Sequence, residues 1–532
     1  MGQFNSERIL FVKRRKHMKK KKRLLGLMML MVMSISVVLT GCSGDKNSSQ
    51  SSDNSSSGEP TYGGSVVVGI QQDVDSLDPH MATAAGTKEI LFNIFEGLVK
   101  PDENGNLINA VASDYKISDD GLVYTFTLRD GVKFHNGNEV TAQDVKYSLE
   151  RASGLLNGTP LIAALKKIKS VDIVDSKTVA VTLSTADTEM IYNFTAAIIP
   201  DGSGESEASQ PVGTGPFKFV SYTPQESIIV AKNEDYWQSG LPYLDEVKFK
   251  IESSADTAIM DLKGGSIDIY PYLTDSQAKE LESTYNVSNS ISNVVQALFM
   301  NNNVAPFDNV KVRQAVNYAI NRTEINSFVS GGKGAEITSA MLPSLKDYYN
   351  DLSSMYPNNI EKAKQLLAEA GYPDGFDMEI TVPSNYQFHM DTAQVVVEQL
   401  KQVGINAKIN GVEWSTWLSD VYNGRQYQTT ICGITCDMTP GYLLNRFTTT
   451  SAKNFINFNS TEFDETFAKA AATVNVDEKK EYYKELQTIM AEQAGSAYIQ
   501  VAPMFIAMNK NLGGYKFYPV YVQDMSTVYR AQ

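Results

Sequence analysis

The chain has 532 residues, of which 42% are hydrophobic and 20% are charged, so its composition is that of a folded globular protein and not of a disordered one. Its 61 acidic residues outnumber its 47 basic residues, which gives a formal net charge of −14. This charge argues against nucleic acid and anionic lipid headgroups as partners, because their phosphates need Lys and Arg to neutralise them.

The N-terminal 41 residues have the pattern of a secretory signal peptide. A basic cluster, KRRKHMKKKKR (13–23), precedes the apolar run LLGLMMLMVMSISVVLT (24–40). The run is shorter than the roughly 20 apolar residues that a membrane-spanning helix needs, and small residues follow it. An uncleaved membrane helix is the alternative, and Met18 is an alternative start of translation.

The residues after the apolar run predict a lipid anchor followed by a tether. The sequence LTGC, which ends at Cys42, resembles a bacterial lipobox, and this implies that Cys42 is lipidated and becomes the N-terminus. Residues 43–60 are rich in Ser, Asn, Asp and Gly and have no apolar residue able to start a core, so we expect a coil that spans about 25 Å. We therefore predict a tether over 42–60; an ordinary disordered terminus is the alternative.

The rest of the chain alternates strand and helix patterns. SVVVGI, from Ser65, predicts a buried strand, and LVYTFTLRDGVKF (122–134) places apolar side chains on one face at every second residue. Thr141 has the character of a helix cap, with Asp144 three residues later and Gly154 beyond the helix end.

A parallel crossover unit is predicted further along. A helix ends at Gly371 and is followed by the strand FDMEITV (376–382), the helix DTAQVVVEQLKQVG (391–404) and the strand INAKINGV (405–412). Together these patterns predict a mixed α/β fold.

The sequence offers few groups for catalysis or metal binding. After residue 41 the histidines are His80, His135 and His389, each alone in sequence, and there is no nucleotide-binding, HExxH or GxSxG motif. Cys432 and Cys436 are four residues apart, which fits two buried thiols, a local disulfide or a metal pair. We therefore predict no catalytic residue, no metal site and no cofactor.

One region carries a family resemblance. Residues 111–152, VASDYKISDDGLVYTFTLRDGVKFHNGNEVTAQDVKYSLERA, resemble the signature region of the family 5 extracellular solute-binding proteins, the peptide and nickel binders of bacterial ABC importers. Further blocks follow in the family's order: VGTGPFKFVSY (212–222), NEDYW (233–237), LKGGSIDI (262–269) and FDNVKVRQAVNYAINRTEI (307–325). The resemblance covers nearly all of the chain after residue 64.

The resemblance implies an α/β fold, the type II periplasmic-binding-protein-like clamp of two lobes with an additional inserted domain. Lobe I would comprise 61–81, 211–298 and 501–532, the inserted domain 82–210, and the second lobe, lobe III, 299–500. Two strands would cross between the lobes, near 295–301 and 498–503. Two crossings permit a hinge, and a ligand that contacts both lobes favours the closed form.

The resemblance also implies two ligand-binding segments, because peptide binders of this family pair the main chain of an extended peptide with short protein segments. The first follows SLDPH and precedes FEGL, and it places Thr83, Ala84 and Ala85 beside the ligand. An ordinary loop between lobes is the alternative.

The second segment lies in CGITCDMTPGYLLNRF (432–447). Asp437 stands where the family has an aspartate that accepts the peptide's α-ammonium group, and Gly433 and Thr435 would offer main-chain groups beside it. Pro440 comes one residue earlier than in the family pattern. A turn aspartate that bonds its own backbone is the alternative.

Other polar and aromatic residues near this segment have less defined roles. Trp414 and Trp417 share a helical face, which favours core packing over a ligand wall. Tyr442, Arg446 and Arg425 are candidates for contact with a peptide carboxylate.

The sequence thus predicts a monomeric, noncatalytic lipoprotein, anchored through Cys42 at the extracytoplasmic face of the bacterial membrane. It would capture short peptides in the cleft between lobes and deliver them to an ABC permease. Alternatives are the same fold with a nickel chelate, an opine or an oligosaccharide, a secreted hydrolase, or a signalling or adhesive lipoprotein.

Overall fold

The computed structural model describes residues 59–252, 254–384, 386–436 and 439–531. The predicted signal peptide, Cys42 and Asp437 lie outside the described residues. Within the described ranges, no helix combines the length and the apolar character that crossing a bilayer requires.

The first strands begin at the last residue of the predicted tether. They are β1 (Pro60–Thr61) and β2 (Ser65–Ile70). Pro60, the last residue of the predicted tether, already pairs with Ala531 near the end of the chain. The prediction of a buried strand from Ser65 is confirmed, since Val66 and Val68 have no exposed surface.

The next part of the chain is built around a four-stranded antiparallel sheet. Its elements are α1 (Ala85–Leu91), β3 (Val99–Pro101), β4 (Leu107–Asn109), β5 (Ala112–Ile117), β6 (Val123–Leu128), α2 (Ala142–Ser153), β7 (Ile168–Asp175) and β8 (Thr178–Leu183), with 3₁₀ turns at Ala163–Lys167 and Met190–Thr195. The strand order in the sheet is β5-β6-β8-β7.

Local sequence explains these elements. Tyr124, Phe126 and Leu128 of β6 point into the core at every second residue, as the alternation predicts. Thr141 and Asp144 form a reciprocal capping box at the start of α2. Gly154 ends α2 with φ of 86°, a left-handed conformation that glycine adopts without a steric penalty.

The elements from Phe217 onward build most of a second, larger sheet and its flanking helices, and the last two strands join β1 in a separate three-stranded sheet. They are β9 (Phe217–Thr223), β10 (Ser227–Lys232), β11 (Glu246–Ile251), α3 (Ala255–Gly264), β12 (Ile269–Leu273), α4 (Asp275–Leu281), β13 (Asn286–Met300), α5 (Val310–Ala319), α6 (Arg322–Ser330), β14 (Ala335–Glu336), α7 (Ile360–Glu369), β15 (Phe376–Pro383), α8 (Gln387–Lys401), β16 (Ile405–Val412), α9 (Trp414–Thr416), β17 (Thr429–Thr435), α10 (Pro440–Asn445), α11 (Thr461–Ala472), α12 (Val476–Glu492), β18 (Ser496–Met508), β19 (Leu512–Gly513) and β20 (Tyr529–Ala531).

The predicted crossover unit is present. β15 and β16 pair in parallel over their whole length, and α8 connects them. α8 begins at Gln387, four residues before the predicted start, because His389 already belongs to its buried face.

Two long strands cross the centre of the larger sheet, whose order is β16-β15-β17-β13-β18-β12-β2-β11-β10-β9, with β14 also paired to β18. β13 and β18 run antiparallel from Asn286 opposite Met508 to Phe299 opposite Ser496. The register shifts between Ile291 and Val295. On one side of this pair β13 meets β17, and on the other side β18 meets β12.

The buried side chains form separate clusters around these sheets. One cluster fills the four-stranded sheet between Leu98 and Ile198, and others cover the two halves of the larger sheet. The domain boundaries 61–81 with 211–298 and 501–532, 82–210 and 299–500 stay predictions.

Candidate functional site

The first predicted ligand segment is held by an aspartate that sequence reasoning missed. The backbone N–H groups of Thr83 and Ala84 donate to Oδ2 of Asp75 at 2.8 and 2.9 Å, and the Thr83 hydroxyl donates to the same oxygen at 2.6 Å. Ala84 is the residue before α1, and Ala85 is its first residue. The two N–H groups are therefore already used within the protein.

The charge of Asp75 is stabilised by these contacts. Burial acts to raise the pKa of Asp75, but hydrogen bonds from Thr83, Thr87 and Ala84 outweigh burial and hold this pKa below its ordinary value. A capping side chain normally lies within a few residues of the N–H groups that it satisfies, whereas Asp75 lies ten residues before the first residue of α1, so no capping pattern in the sequence marks it.

The second predicted segment lies on β17, in the centre of the larger sheet. Gly433 is opposite Gln296 of β13, and Thr435 is opposite Val294. Thr435 is exposed and Gly433 is partly exposed. A Cβ atom at position 433 would overlap Cγ1 of Val294 and lie 3.3 Å from Cε1 of His389, so this position requires glycine.

The residue before Asp437 is fixed to the crossing strand. The Cys436 N–H donates to the carbonyl of Asn293 at 2.9 Å, and the Asn293 side-chain amide donates to the carbonyl of Cys436 at 3.1 Å. Asn293 is 5% exposed and lies in the irregular stretch between Ile291 and Val295. No sequence pattern marks Asn293, because its partner is 143 residues away.

A buried polar network joins the two crossing strands. Gln500 of β18 donates to the side-chain carbonyl of Gln296 of β13 at 2.9 Å, and Gln296 donates to Nδ1 of His389 at 2.9 Å. Ser330 and Thr392 add hydrogen bonds at 2.8 and 3.2 Å. Burial lowers the pKa of His389 to about 4, so at neutral pH its uncharged ring accepts from Gln296.

The two tryptophans differ in exposure. Trp417 is 4% exposed, and its indole N–H donates to the Thr430 hydroxyl at 2.9 Å, so it packs in the core. Trp414 is 38% exposed and stacks on Trp417 with ring centroids 5.1 Å apart. Core packing therefore describes Trp417, whereas Trp414 covers it from the solvent side.

The three candidates for a ligand carboxylate have partners within the described residues. Arg425 donates to Asn457 at 3.1 Å, and the Tyr442 hydroxyl contacts Lys453. Arg446 donates to the Tyr422 hydroxyl at 2.8 Å. Its Nε atom is buried without a hydrogen-bond partner among the described residues, so Arg446 alone of the three retains a buried, unused donor there.

The cysteines are not bridged. Cys432 and Cys436 are both buried and form no disulfide bond, and burial raises the pKa of the Cys432 thiol. Within the described ranges, no three His, Cys, Asp or Glu residues are grouped as a metal site would need. Of the alternatives for this pair, two buried thiols describe the structure.

Comparison with known proteins identifies the family to which the chain is similar. A family model described as bacterial extracellular solute-binding proteins, family 5 middle, matches residues 106–455. The glutathione-binding protein GsiB of Salmonella typhi is 30% identical over 474 residues, which cover 85% of this chain and 92% of that protein.

Solved structures share the fold. The ABC transporter-associated periplasmic binding protein DppA from Helicobacter pylori, in complex with the peptide STSA, matches with a TM-score of 0.71 and 26% identity over 89% of this chain and 99% of that one. The binding protein AgaA from A. tumefaciens R10, in complex with agropinic acid, matches with a TM-score of 0.69 and 28% identity over 88% and 99%.

These matches confirm the predicted two-lobe type II clamp with an inserted domain. The matched proteins are substrate-binding proteins of transport systems and not enzymes. Proteins of this family work outside the cytoplasm. The chain belongs to the bacterial extracellular solute-binding proteins of family 5.

Proposed function

We propose that the chain is the substrate-binding lipoprotein of an ABC importer and that its ligand is a short peptide with a free α-ammonium group. Asp437 would accept this group, and Gly433 and Thr435 would pair with the peptide main chain. The observation that carries the proposal is the exposed end of β17 at Thr435, two residues before an aspartate in the family's position. The ligands named for GsiB and DppA, glutathione and a tetrapeptide, support a peptide.

The loop at Thr83, Ala84 and Ala85, at the start of the predicted inserted domain, would contribute the second contact. Because Asp75 already uses the N–H groups of Thr83 and Ala84, this loop would offer carbonyl oxygens to the ligand. A peptide main chain brings N–H donors that match them. The loop and β17 lie on different parts of the chain, so a ligand that contacts both would favour closure.

A panel of ligands tests the proposal. Isothermal titration calorimetry would compare di- to hexapeptides with free and acetylated N-termini, glutathione, an opine and a nickel chelate. A buried ammonium–carboxylate pair costs about 3 to 5 kcal/mol when one partner is removed, so acetylation should weaken binding roughly 100- to 4,000-fold. Equal affinity for acetylated peptides would contradict the role of Asp437.

Asp437→Asn is the matched variant for this panel. It should lose affinity for free peptides and change little for acetylated ones, because only the ammonium contact is removed. An opine is the second candidate ligand, since AgaA, solved in complex with agropinic acid, is 28% identical. Tight binding of an opine without peptide binding would favour that candidate.

The remaining parts of the proposal concern location and turnover. Cys42→Ala should release the protein from the membrane while it still binds ligand, and continued membrane retention would contradict a lipid anchor at Cys42.

Purified protein should bind peptide stoichiometrically without cleaving it, which mass spectrometry of the recovered peptide would check. Mass photometry should give a monomer, and loss of the cognate permease should abolish uptake.

A further inference from the structure

Two distant parts of the chain touch away from the crossing strands. The turn after β8 carries Glu189, and its carboxylate accepts a hydrogen bond from the N–H of Gly441 in α10 at 3.2 Å. The hydroxyl of Tyr483, on α12, donates to the same carboxylate. The turn belongs to the part built on the four-stranded sheet, whereas α10 and α12 flank β17 and β18. This contact therefore joins the two sides of the clamp.

The contact brings opposite charges together in a region with little water. Lys479, one turn before Tyr483 on α12, is 4% exposed and faces Glu189 and Asp187. Lys167 binds Asp187 at 2.7 Å, so Asp187 already has a cation on its own side. Burial raises the pKa of Glu189 and lowers that of Lys479, which means that each charge lacks water. Each ion then depends on the other for compensation.

The surrounding residues fit this contact closely. A Cβ atom at Gly441 would lie 2.5 Å from Oε2 of Glu189 and would also overlap the Tyr483 hydroxyl, so a side chain there would push the two parts apart. Tyr192, three residues after Glu189, hydrogen-bonds to Tyr348 across the same boundary. The rings of Tyr348 and Tyr483 are 5.9 Å apart. The contact thus has a charged centre and an aromatic border.

The position of the contact gives it a role in opening. The two parts are linked through β13 and β18, so rotation about these strands moves Glu189 away from Gly441, Tyr483 and Lys479. Glu189 and Lys479 would then regain water, and two hydrogen bonds would be lost. The contact can exist only when the two parts are together, so it contributes to the equilibrium between open and closed forms.

We propose an interdomain latch that consists of Glu189, Gly441, Lys479 and Tyr483. This latch holds the clamp shut and thereby sets the lifetime of the bound ligand. These are positioning residues, because they act on the ligand only through closure. The proposal goes beyond the ligand site and uses the proposed function only to choose a probe.

Charge reversal and charge exchange test the latch. Glu189→Lys and Lys479→Glu each place like charges face to face, and the double variant restores an opposite pair. The ligand probe is tetra-alanine, and its dissociation is followed by stopped-flow tryptophan fluorescence. Each single variant should raise the dissociation rate constant roughly 10- to 100-fold, and the double variant should recover most of this loss.

Controls separate the latch from general damage. Glu205→Lys makes the same charge change at an exposed position of the same part of the chain and should leave the dissociation rate unchanged. Glu189→Gln keeps an acceptor for Gly441 and removes only the charge, so it should give a smaller increase and remain folded. Thermal unfolding would show that the variants keep their stability.

Small-angle X-ray scattering without any ligand is the second readout. Glu189→Lys should increase the radius of gyration, and the double variant should return it toward the wild-type value. The latch would be overturned if scattering and dissociation are unchanged in the single variants. It would also be overturned if the effect on dissociation in the double variant equals the effects of the two single variants combined. If no peptide of the panel binds the wild type, the proposed function is wrong, and the scattering comparison alone decides the latch.

Discussion

Asn293 holds Cys436 by both of its backbone groups, accepting from the N–H at 2.9 Å and donating to the carbonyl at 3.1 Å. Asn293 lies where β13 loses register with β18, and Cys436 directly precedes Asp437. The strand β13, which we predict to cross between the lobes, is thus bonded to the residue before the predicted ligand-binding aspartate. Movement at this strand would therefore move that residue.

Asn293→Ala should weaken the binding of free-amine peptides by about 10-fold, since it removes a buried hydrogen bond and leaves the Cys436 carbonyl without its side-chain donor. Calorimetry with free and acetylated tetra-alanine would measure it. If the residue only supports folding, both peptides lose affinity equally. If it places Asp437, the preference for the free amine falls, and an unchanged preference would contradict this role.

Gly433→Ala should destabilise the fold by about 1 to 3 kcal/mol, because its Cβ overlaps Val294 and approaches His389. Gly86→Ala is the matched control. A Cβ at Gly86 meets nothing within 4 Å, and the residue lies inside α1, so alanine there should be neutral or stabilise by up to about 1 kcal/mol. Urea unfolding measures both, and equal effects would show that position 433 has room for a side chain.

His389 should make stability depend on pH in a predictable direction. Its pKa is about 4 in the folded protein against 6.5 ordinarily, so below pH 6.5 the unfolded chain binds the proton first and stability falls as the pH is lowered toward 4. The full contribution is on the order of 3 kcal/mol.

Comparison with His389→Gln separates the contribution of His389 from that of other groups. Burial raises the pKa of Glu207 to about 7, for example, so Glu207 changes the stability with pH in the opposite direction. Free energies of unfolding from urea titrations between pH 4.5 and 7.5 would be compared. The difference between wild type and variant should shrink as the pH falls. A constant difference would contradict a buried, neutral His389.

Cys432 and Cys436 should not react with a thiol reagent in the folded protein, since both are buried and burial raises the pKa of Cys432. Ellman's reagent should give two thiols only after denaturation, in protein that carries Cys42→Ala. The same count with and without prior reduction would confirm free thiols, and a count of zero before reduction would indicate a disulfide.

Sequence patterns predicted the elements whose causes are local. The alternation in β6, the cap at Thr141 and the crossover between β15 and β16 each depend on residues close in sequence. The family resemblance supplied the arrangement of the lobes, which periodicity does not contain. Asp75 was not predicted, since it lies eight residues before Thr83 and ten before α1, too far for a capping pattern to mark it.

The contacts around the predicted site and the latch could not be predicted from local sequence patterns. Asn293 and Cys436 are 143 residues apart, Gln296 and Gln500 are 204 apart, and Glu189 and Gly441 are 252 apart. Single polar residues at such separations leave no periodic signal. They become neighbours only when the sheets have formed, so they follow from the fold and not from the sequence pattern.

The hydrogen bonds of Asp75 would limit the chemistry of any ligand that contacts the loop at Thr83 and Ala84. Because the N–H groups of Thr83 and Ala84 already donate to Asp75, the loop would only accept hydrogen bonds from a ligand at these two residues. A chain whose nitrogens are alkylated, as in proline or sarcosine, would have no proton to place there. Ligand preference at this loop would therefore depend on the backbone nitrogens of the ligand and not on its side chains.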